Sequence, residues 1–381
     1  MFLMHHIEEI FLLLQQNLGE ETTMRKVLMI FAVAILTAIS AQAQKIQVVN
    51  SNGQGIPLVS VLDEEGHLIG TTDMDGVLAN VKGAQKVSVT HVAYQPQVVS
   101  IASLKDGRVV MEDLDYSLSE VVVKPKPYIY VQTYYRAYGF INDTLRYYVA
   151  GLMPNAYDIK KKKIETGSKY NSCGEFYPSF GVSITWGARV LALDPGKVYP
   201  SMAKSLQSGG KASEKYYLTL TDEGNGRQRI SNAEGTVGYL DTQNGQVRTT
   251  LDGGKVQMYA NKVNGEEKML KRREEKQYAY QYTDIHNLDE DGNAGYTDMV
   301  MNTHQWEWDG RKGRDKLIIE AYTVDRGYMD KEEWKAKKKE LKKAYGSGMT
   351  LDELESYAAS RHLPALAPSM RAAIEGLKKK K

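Results

Sequence analysis

Hydrophobic and polar residues alternate in short runs after residue 44, and turn residues separate the runs. This period of two predicts β-strands, because successive side chains of a strand point to opposite faces. In the segment 86–94 we expect Val87, Val89 and His91 to face a core and Ser88, Thr90 and Val92 to face outward. About seven short strands in some eighty residues are typical of a β-sandwich. The predicted strands are 45–50, 57–62, 77–81, 86–94, 98–101, 108–111 and 119–123.

Longer alternating segments continue from Tyr128 to Met329. Asx-Gly pairs such as Asn225-Gly226 separate them, and such pairs are the strongest short-range hairpin signal. We therefore predict an antiparallel meander. Its strands are predicted at 128–140, 144–152, 215–221, 247–250, 255–261, 277–283, 298–308 and 316–324. Residues 153–214 have no clear pattern.

The period changes from two to about 3.6 after Asp330, which predicts helices. Thr350 and Glu353 have the spacing of a capping box at the start of the second helix. We expect the helices to pack on one face or end of the sheet, which makes the second region α+β and the whole chain mainly β. The predicted helices are 331–345, 350–362 and 369–377.

The segment 24–43 has the three parts of a secretory signal peptide. Met24-Arg25-Lys26 is basic, 27–39 is apolar, and Ala41-Gln42-Ala43 supplies small residues at the cleavage site. The apolar run is shorter than the roughly 20 residues that span a bilayer, which favours cleavage over a retained anchor. We interpret residues 1–23 as a mis-called extension, with an amphipathic helix as the alternative. No cysteine lies near the cleavage point, so we expect no lipid anchor.

Four segments of the first strand region carry a family resemblance: Ile56 to Val61, the turn from Gly70 to Gly76, Val92-Ala93-Tyr94, and Leu118 to Val123. They resemble the carboxypeptidase-regulatory-like domain, found at the N-terminus of TonB-dependent outer-membrane receptors and of smaller exported proteins of Gram-negative envelopes. The resemblance implies a transthyretin-like β-sandwich with no catalytic role for residues 44–124. Ala93 departs from the family, which usually has glycine there.

These signals divide the chain into six parts. Prolines at 125 and 127 favour an extended linker, because each fixes its own backbone and restricts its neighbour. The parts are 1–23 (extension), 24–43 (signal peptide), 44–124 (sandwich), 125–127 (linker), 128–330 (tyrosine-rich β domain) and 331–381 (lysine-rich helical segment).

Composition narrows the classes of partner. Lys+Arg 49 and Asp+Glu 47 nearly cancel, so no basic field attracts nucleic acid, and we expect no nucleic-acid partner. Cys173 is the one cysteine, which excludes an internal disulfide framework and a multi-cysteine metal site. The C-terminal lysines offer peripheral contact with anionic lipid or polysaccharide, although a charge run is usually a solvated helix face.

The candidate metal motifs fail on context. His304 and Glu307 have a spacing found in zinc sites, but in a strand this separation places them on opposite faces. The acidic segments 73–76 and 289–293 are interpreted as turns rather than calcium loops. We therefore predict no metal, no cofactor and no catalytic residue.

Most of the 25 tyrosines lie in the second region, and some form rows with aromatic neighbours. A row on an exposed sheet face can stack on sugar rings or hold a peptide. Core packing is the alternative, because tyrosine favours half-buried strand positions. The possible ligand platform consists of Tyr278, Tyr280 and Tyr282 on one strand and His304, Trp306 and Trp308 on the next.

From these observations we expect an exported, non-catalytic binding or assembly protein of a Gram-negative envelope, periplasmic or outer-membrane associated. Its partner is expected to be an envelope protein or a polysaccharide. One alternative is a surface glycan-binding protein with exposed aromatic rows in a groove. The other is a hydrolase, whose pocket would gather at least two of His286, His304, Asp298, Asp309 and Glu307.

Overall fold

The computed structural model describes residues 45–116, 126–158, 160–161, 163–166, 172–176, 216–243, 246–265, 278–285, 299–310, 313–344 and 349–378. The fold of these residues is mainly β, with several antiparallel sheets and C-terminal helices, which confirms the predicted fold class. In some strands, including 278–285, only the backbone is described. The predicted extension 1–23, signal peptide 24–43 and strand 119–123 lie outside the described residues.

Seven short strands in residues 46–110 form two sheets. One has the order β4-β1-β7 and the other the order β3-β2-β5-β6. Ile46, Val48, Val61 and Val89 are fully buried, as the alternating pattern predicts for inward positions. This region is named the sandwich below. Its strands are β1 (Ile46–Val49), β2 (Ser60–Leu62), β3 (Leu68–Thr71), β4 (Val77–Leu78), β5 (Lys86–His91), β6 (Tyr94–Ser100) and β7 (Arg108–Val110).

The sandwich differs from the prediction in three places. Strand β3 was not predicted, and Ser88 of β5 and Val92 in the turn after it, both predicted to face outward, are buried. The Ser88 Oγ lies 3.1 Å from the Oγ of Ser369, which belongs to the last helix of the chain. The outward prediction for Ser88 is wrong because a helix from the other end of the chain covers that face.

Eleven antiparallel strands form the large sheet, in the order β10-β9-β8-β18-β17-β16-β15-β14-β13-β12, with β11 also paired to β9. Strands β12 to β18 follow one another as in the predicted meander, and β18 then pairs with β8. The strands are β8 (Tyr128–Ile141), β9 (Thr144–Asp158), β10 (Lys163–Thr166), β11 (Ser172–Phe176), β12 (Thr219–Gly224), β13 (Arg227–Asn232), β14 (Gly235–Gln243), β15 (Gln246–Asp252), β16 (Tyr278–Ile285), β17 (Met299–Gly310) and β18 (Gly313–Met329).

Cross-strand register assigns residues of the large sheet to two faces, because directly paired residues lie on the same face. Arg136 pairs with Glu320, Glu320 with Thr303, Thr303 with Tyr282, and Tyr282 with Thr250. We name the face that carries these positions the docked face, because the sandwich and the C-terminal helices pack on it.

A helix replaces one predicted strand. Residues 255–261 were predicted to be extended, but they belong to helix α1 (Gly253–Val263). The carboxylate of Asp252 caps this helix by accepting a hydrogen bond from the Lys255 N–H at 2.9 Å. Val256 and Ala260, one helical turn apart, are buried. The prediction is wrong because Val256, Met258 and Ala260 fit the period of a strand, while Val256 and Ala260 also fit one turn of a helix.

The three predicted C-terminal helices are confirmed as α2 (Lys331–Ala344), α3 (Leu351–Ser360) and α4 (Pro368–Lys378). Thr350 and Glu353 make both bonds of the predicted capping box. None of the described helices is long and apolar enough to cross a membrane.

Helices α2 and α3 pack on the docked face at its β8–β9 end. Trp334 of α2 is buried with its ring centroid 5.9 Å from that of Tyr130. Tyr357 of α3 lies 5.7 Å from Tyr134, measured between ring centroids. These tyrosines of β8 are core residues, as the packing alternative predicts.

The sandwich packs on the docked face beside these helices. The described parts of 45–78 and 84–378 form one compact unit. Several hydrogen bonds join the sandwich to the large sheet, among them the following four. The Gln305 Nε2 donates to the Leu58 carbonyl (2.9 Å), the Lys316 Nζ to the Thr71 Oγ1 (2.9 Å), the Leu68 N–H to the Asp143 carbonyl (2.8 Å), and the Tyr116 hydroxyl to the Thr323 carbonyl.

Candidate binding cleft

A cleft of about 890 Å³ lies between the sandwich and the β13–β15 end of the docked face. Its floor is formed by side chains of the large sheet, among them Tyr239, Arg248 and Thr250. Its wall is formed by the turn after β1 and by His91 and Tyr94 of the sandwich. The cleft therefore exists only because the sandwich is docked on the sheet.

Hydrogen bonds within the turn fix the wall. The Asn50 Oδ1 accepts from the backbone N–H groups of Asn52 (3.0 Å) and Gln54 (2.9 Å), and the Asn50 Nδ2 donates to the Gln54 Oε1 (3.0 Å). Gly55 approaches the backbone of Asp75 so closely that a Cβ there would lie 2.2 Å from the Asp75 carbonyl oxygen. The amide side chains of this turn are thus held by a backbone that has little freedom to move.

The predicted hairpin at Asn225-Gly226 forms the opposite rim. Both residues have positive φ, 54° and 76°, as a tight two-residue hairpin turn requires. The Gly226 carbonyl accepts from the Thr242 N–H at 2.7 Å. This contact fixes the turn beside β14 and places Arg227, the next residue, over the floor.

Arg227 is the centre of a charged and aromatic group on the floor. Its guanidinium carbon lies 3.9 Å from the centroid of the Tyr239 ring, and its Nε is 3.7 Å from an Asp241 carboxylate oxygen. The Tyr239 hydroxyl donates to the Asp75 carboxylate of the sandwich at 3.3 Å. Burial raises the pKa of Asp241, while Arg227 and Arg248 oppose the shift.

A second ion pair connects floor and wall. The Arg248 Nη1 donates to the Asp113 carboxylate at 2.9 Å. Both side chains are partly exposed, so this pair contributes little to stability but orients the guanidinium across the cleft.

His91 is a neutral member of the wall. Burial lowers the pKa of His91 to about 3, and the nearby Arg248 adds to the shift. The His91 Nδ1 accepts from the Ala93 N–H at 3.2 Å, which favours the tautomer with the proton on Nε2. A histidine that stays neutral in this way supplies hydrogen bonding without charge.

The described lining offers paired charges and neutral hydrogen-bonding groups. Its formal charges are two arginines and two aspartates, and each arginine lies beside an aspartate. Its other polar groups are amides, hydroxyls and a neutral imidazole. These groups donate and accept hydrogen bonds at fixed positions.

The predicted aromatic platform is divided by the register. Tyr280 pairs with Gln305 and Gln281 pairs with His304, so positions 278, 280 and 282 lie on the docked face and positions 304, 306 and 308 on the other. Two rows on opposite faces do not make one platform. The side chains of these six residues are outside what the structure describes.

One of these rows is next to the cleft along the sheet. Position 282 pairs with Thr250, which lines the cleft, and position 280 pairs with Asp252. This row therefore lies on the same face as the cleft floor, one strand away from it. The sequence analysis did not single out the floor, whose signal was the alternation of Arg227, Tyr239, Asp241 and Arg248 on adjacent strands.

The hydrolase alternative expects the cleft to gather particular histidine and acidic residues. None of its described lining residues belongs to the set His286, His304, Asp298, Asp309 and Glu307. His286 and Asp298 lie outside the described residues, as do the side chains of His304 and Asp309. Glu307 forms an ion pair with Arg314 near the turn that joins β17 to β18.

A buried polar network under the sandwich has a structural role. Arg136 donates to the Glu355 carboxylate and to the Pro364 carbonyl, both at 2.8 Å, and Tyr138 donates to Glu320 at 3.1 Å. Burial raises the pKa of Glu320, while Arg136 opposes the shift. The adjoining cavity is about 30 Å³, the size of one water molecule, so it excludes a substrate.

Two groups of charged residues on the surface are held by bonds within their own turn or helix. Asp63, Glu65 and His67 bring ligand atoms within 4.8 Å of one another, but Asp63 already accepts from the N–H groups of the other two residues in their turn. On α2, Lys335 pairs with Glu332 at 2.8 Å and Lys337 with Glu340 at 3.5 Å.

Comparisons with protein-family models, with curated proteins and with solved structures find no match to this chain.

Proposed function

We propose that this chain is an exported, non-catalytic binding protein of a Gram-negative cell envelope, and that the cleft is its binding site. The observation that carries the proposal is the cleft itself, a large polar depression whose two sides come from the sandwich and the sheet. Its lining supplies hydrogen-bonding groups in fixed positions, which favours recognition of a partner over a chemical reaction.

Export is supported by the sequence. Residues 24–43 have the basic, apolar and small-residue parts of a signal peptide. The segments that resemble a carboxypeptidase-regulatory-like domain point to the same compartment. The family resemblance also assigns the sandwich no catalytic role, which agrees with its place as a wall of the cleft.

The partner is an envelope protein or a polysaccharide, held where sandwich and sheet meet. This assignment differs from the platform hypothesis, because the two aromatic rows lie on opposite faces. Peripheral contact through the C-terminal lysines belongs to the proposal as a secondary surface.

Site-specific photo-crosslinking in intact host cells tests the proposal. p-Benzoylphenylalanine in place of Asn52 puts the reactive group at the cleft wall, since only the backbone of Asn52 contributes to the turn. The same group in place of Glu332, exposed on α2, is the matched control. Cell fractionation and mass spectrometry then identify the conjugates.

We expect the chain in the envelope fraction, with a reproducible conjugate from position 52 and not from position 332. A chain that stays in the cytoplasmic fraction contradicts the proposed compartment. Equal labelling from both positions, or none, contradicts the cleft as the binding site.

A further inference from the structure

We propose that the cleft binds an uncharged oligosaccharide, an inference that rests on the proposed function and names the chemistry of its ligand. The reasons are the balance of charge in the cleft, the type of its polar groups, and the lack of features that peptide recognition uses.

Among the described residues that line the cleft, each charge has an opposite charge beside it. Arg248 is bonded to Asp113 at 2.9 Å, and Arg227 lies 3.7 Å from Asp241. A charged ligand would compete with a counter-ion that is already in place, so it would gain little net attraction from these partly exposed pairs. A ligand without charge keeps both pairs intact.

The remaining polar groups match hydroxyls. The lining includes the amides of Asn52 and Asn225, each with donor and acceptor atoms, the Nε2 donor of Gln54 and the hydroxyl of Thr250, while the Asn50 amide is used within its own turn. A sugar hydroxyl also donates and accepts, so one amide can satisfy it in both ways. Because Tyr94 and Tyr239 are buried, recognition rests on hydrogen bonds more than on ring stacking.

A peptide fits this lining less well. Peptides dock by adding a strand to a sheet edge or by placing side chains in apolar pockets. Strands β13, β14 and β15 are each paired on both sides, and the edge strand β6 contacts Glu112 and Asp113 where it meets the cleft. Ile56 and Pro57 are the aliphatic residues among the described lining.

Size and rigidity agree with a short oligosaccharide. A cleft of about 890 Å³ lies within the usual range of ligand sites, about 300–1,000 Å³. The Asn50 turn and the Asn225-Gly226 turn hold its rims by backbone hydrogen bonds, so little conformational freedom is lost on binding.

Isothermal titration calorimetry of the full-length chain tests the inference with four neutral probes: maltohexaose, cellohexaose, xylohexaose and mannohexaose. We expect at least one to bind, with an affinity that changes less than about twofold when the NaCl concentration is raised tenfold, because no net charge is neutralised. Asn52→Trp should weaken that binding at least about tenfold by filling the cleft at its wall, and Thr250→Val about fivefold by removing one hydroxyl.

Thr221→Val is the matched control, because Thr221 is exposed on β12 and is not among the lining residues. It should leave the affinity unchanged, and thermal unfolding shows whether each variant is folded. Absence of binding by all four sugars, or binding that Asn52→Trp leaves intact, overturns the inference. Neutral hexapeptides that bind in place of sugars and are blocked by Asn52→Trp also overturn it, while the crosslinking result still decides the proposed function.

Discussion

At the scale of single residues, Lys316 is a group whose buried environment changes its chemistry. It lies between the large sheet and the sandwich, where its Nζ donates to the Thr71 Oγ1 at 2.9 Å. Burial lowers the pKa of Lys316 from 10.5 to about 7, with Arg314 adding to the shift and Asp143 opposing it. The folded protein therefore favours the neutral amine at a pH where the unfolded chain keeps the charge.

This difference predicts a pH-dependent stability. Between about pH 7 and pH 10 the unfolded chain binds more protons at Lys316 than the folded protein does, so the free energy of unfolding rises with pH. The slope from this residue is up to about 1.4 kcal/mol per pH unit, and it vanishes below pH 7, where both states are protonated. Lys316→Met should remove this slope. Denaturant unfolding of both proteins from pH 6 to pH 10 measures the difference, and a constant difference would contradict the assignment.

At the scale of elements, the β12–β13 hairpin offers two glycines of similar conformation in different surroundings. Gly224 has φ +81° and open space where a Cβ would be, whereas Gly226 has φ +76° and the Thr242 carbonyl oxygen 2.1 Å from that position. Gly224→Ala tests backbone strain alone, and Gly226→Ala tests strain together with the close approach to β14.

We expect Gly224→Ala to lower the free energy of unfolding by about 1 kcal/mol. Gly226→Ala should cost more, on the order of 2–4 kcal/mol, because β14 must move away or the turn must open. Any cleft ligand should also bind Gly226→Ala more weakly than Gly224→Ala. Equal unfolding midpoints for the two variants in urea would show that the contact with Thr242 is not tight.

The helices and strands also show which parts of the fold can be predicted from local sequence patterns. The helices α2 to α4 were predicted well because a cap and a change of period mark them locally. Residues 255–261 were not predicted correctly, since the spacing of Val256 and Ala260 fits a strand as well as a helix. The burial of Ser88 and the formation of the cleft depend on contacts between distant parts of the chain, and no local pattern contains that information.

At the scale of the whole molecule, the sandwich and the large sheet form a single packed unit. Gln305 donates from β17 to the carbonyl of Leu58 in the sandwich, and both residues are buried. Gln305→Met removes the donor and leaves that carbonyl unsatisfied, which should cost about 1–3 kcal/mol. We expect the whole protein, and not one region, to unfold at a lower temperature.

Calorimetry reports unfolding of the whole protein, and a fluorescent probe attached to the sandwich reports unfolding of that region. We expect the two methods to give the same transition temperature. The matched control is Gln97→Met, because the half-buried Gln97 donates to the Val110 carbonyl within the sandwich. That change should alter the free energy of unfolding by less than about 0.5 kcal/mol. Separate transitions for sandwich and sheet in the Gln305 variant would contradict a single unit.

The contact between Ser88 and Ser369 has a consequence for how the protein reaches its native state. These two residues are 281 positions apart in the chain, and β8 pairs with β18 across 174 to 201 positions. Folding that depends on such distant pairings is slow, because the entropy of closing large loops is lost before the contacts form. The burial of Ser88 therefore needs the last helix, so the native packing of this face of the sandwich is completed only after nearly the whole chain has been synthesised.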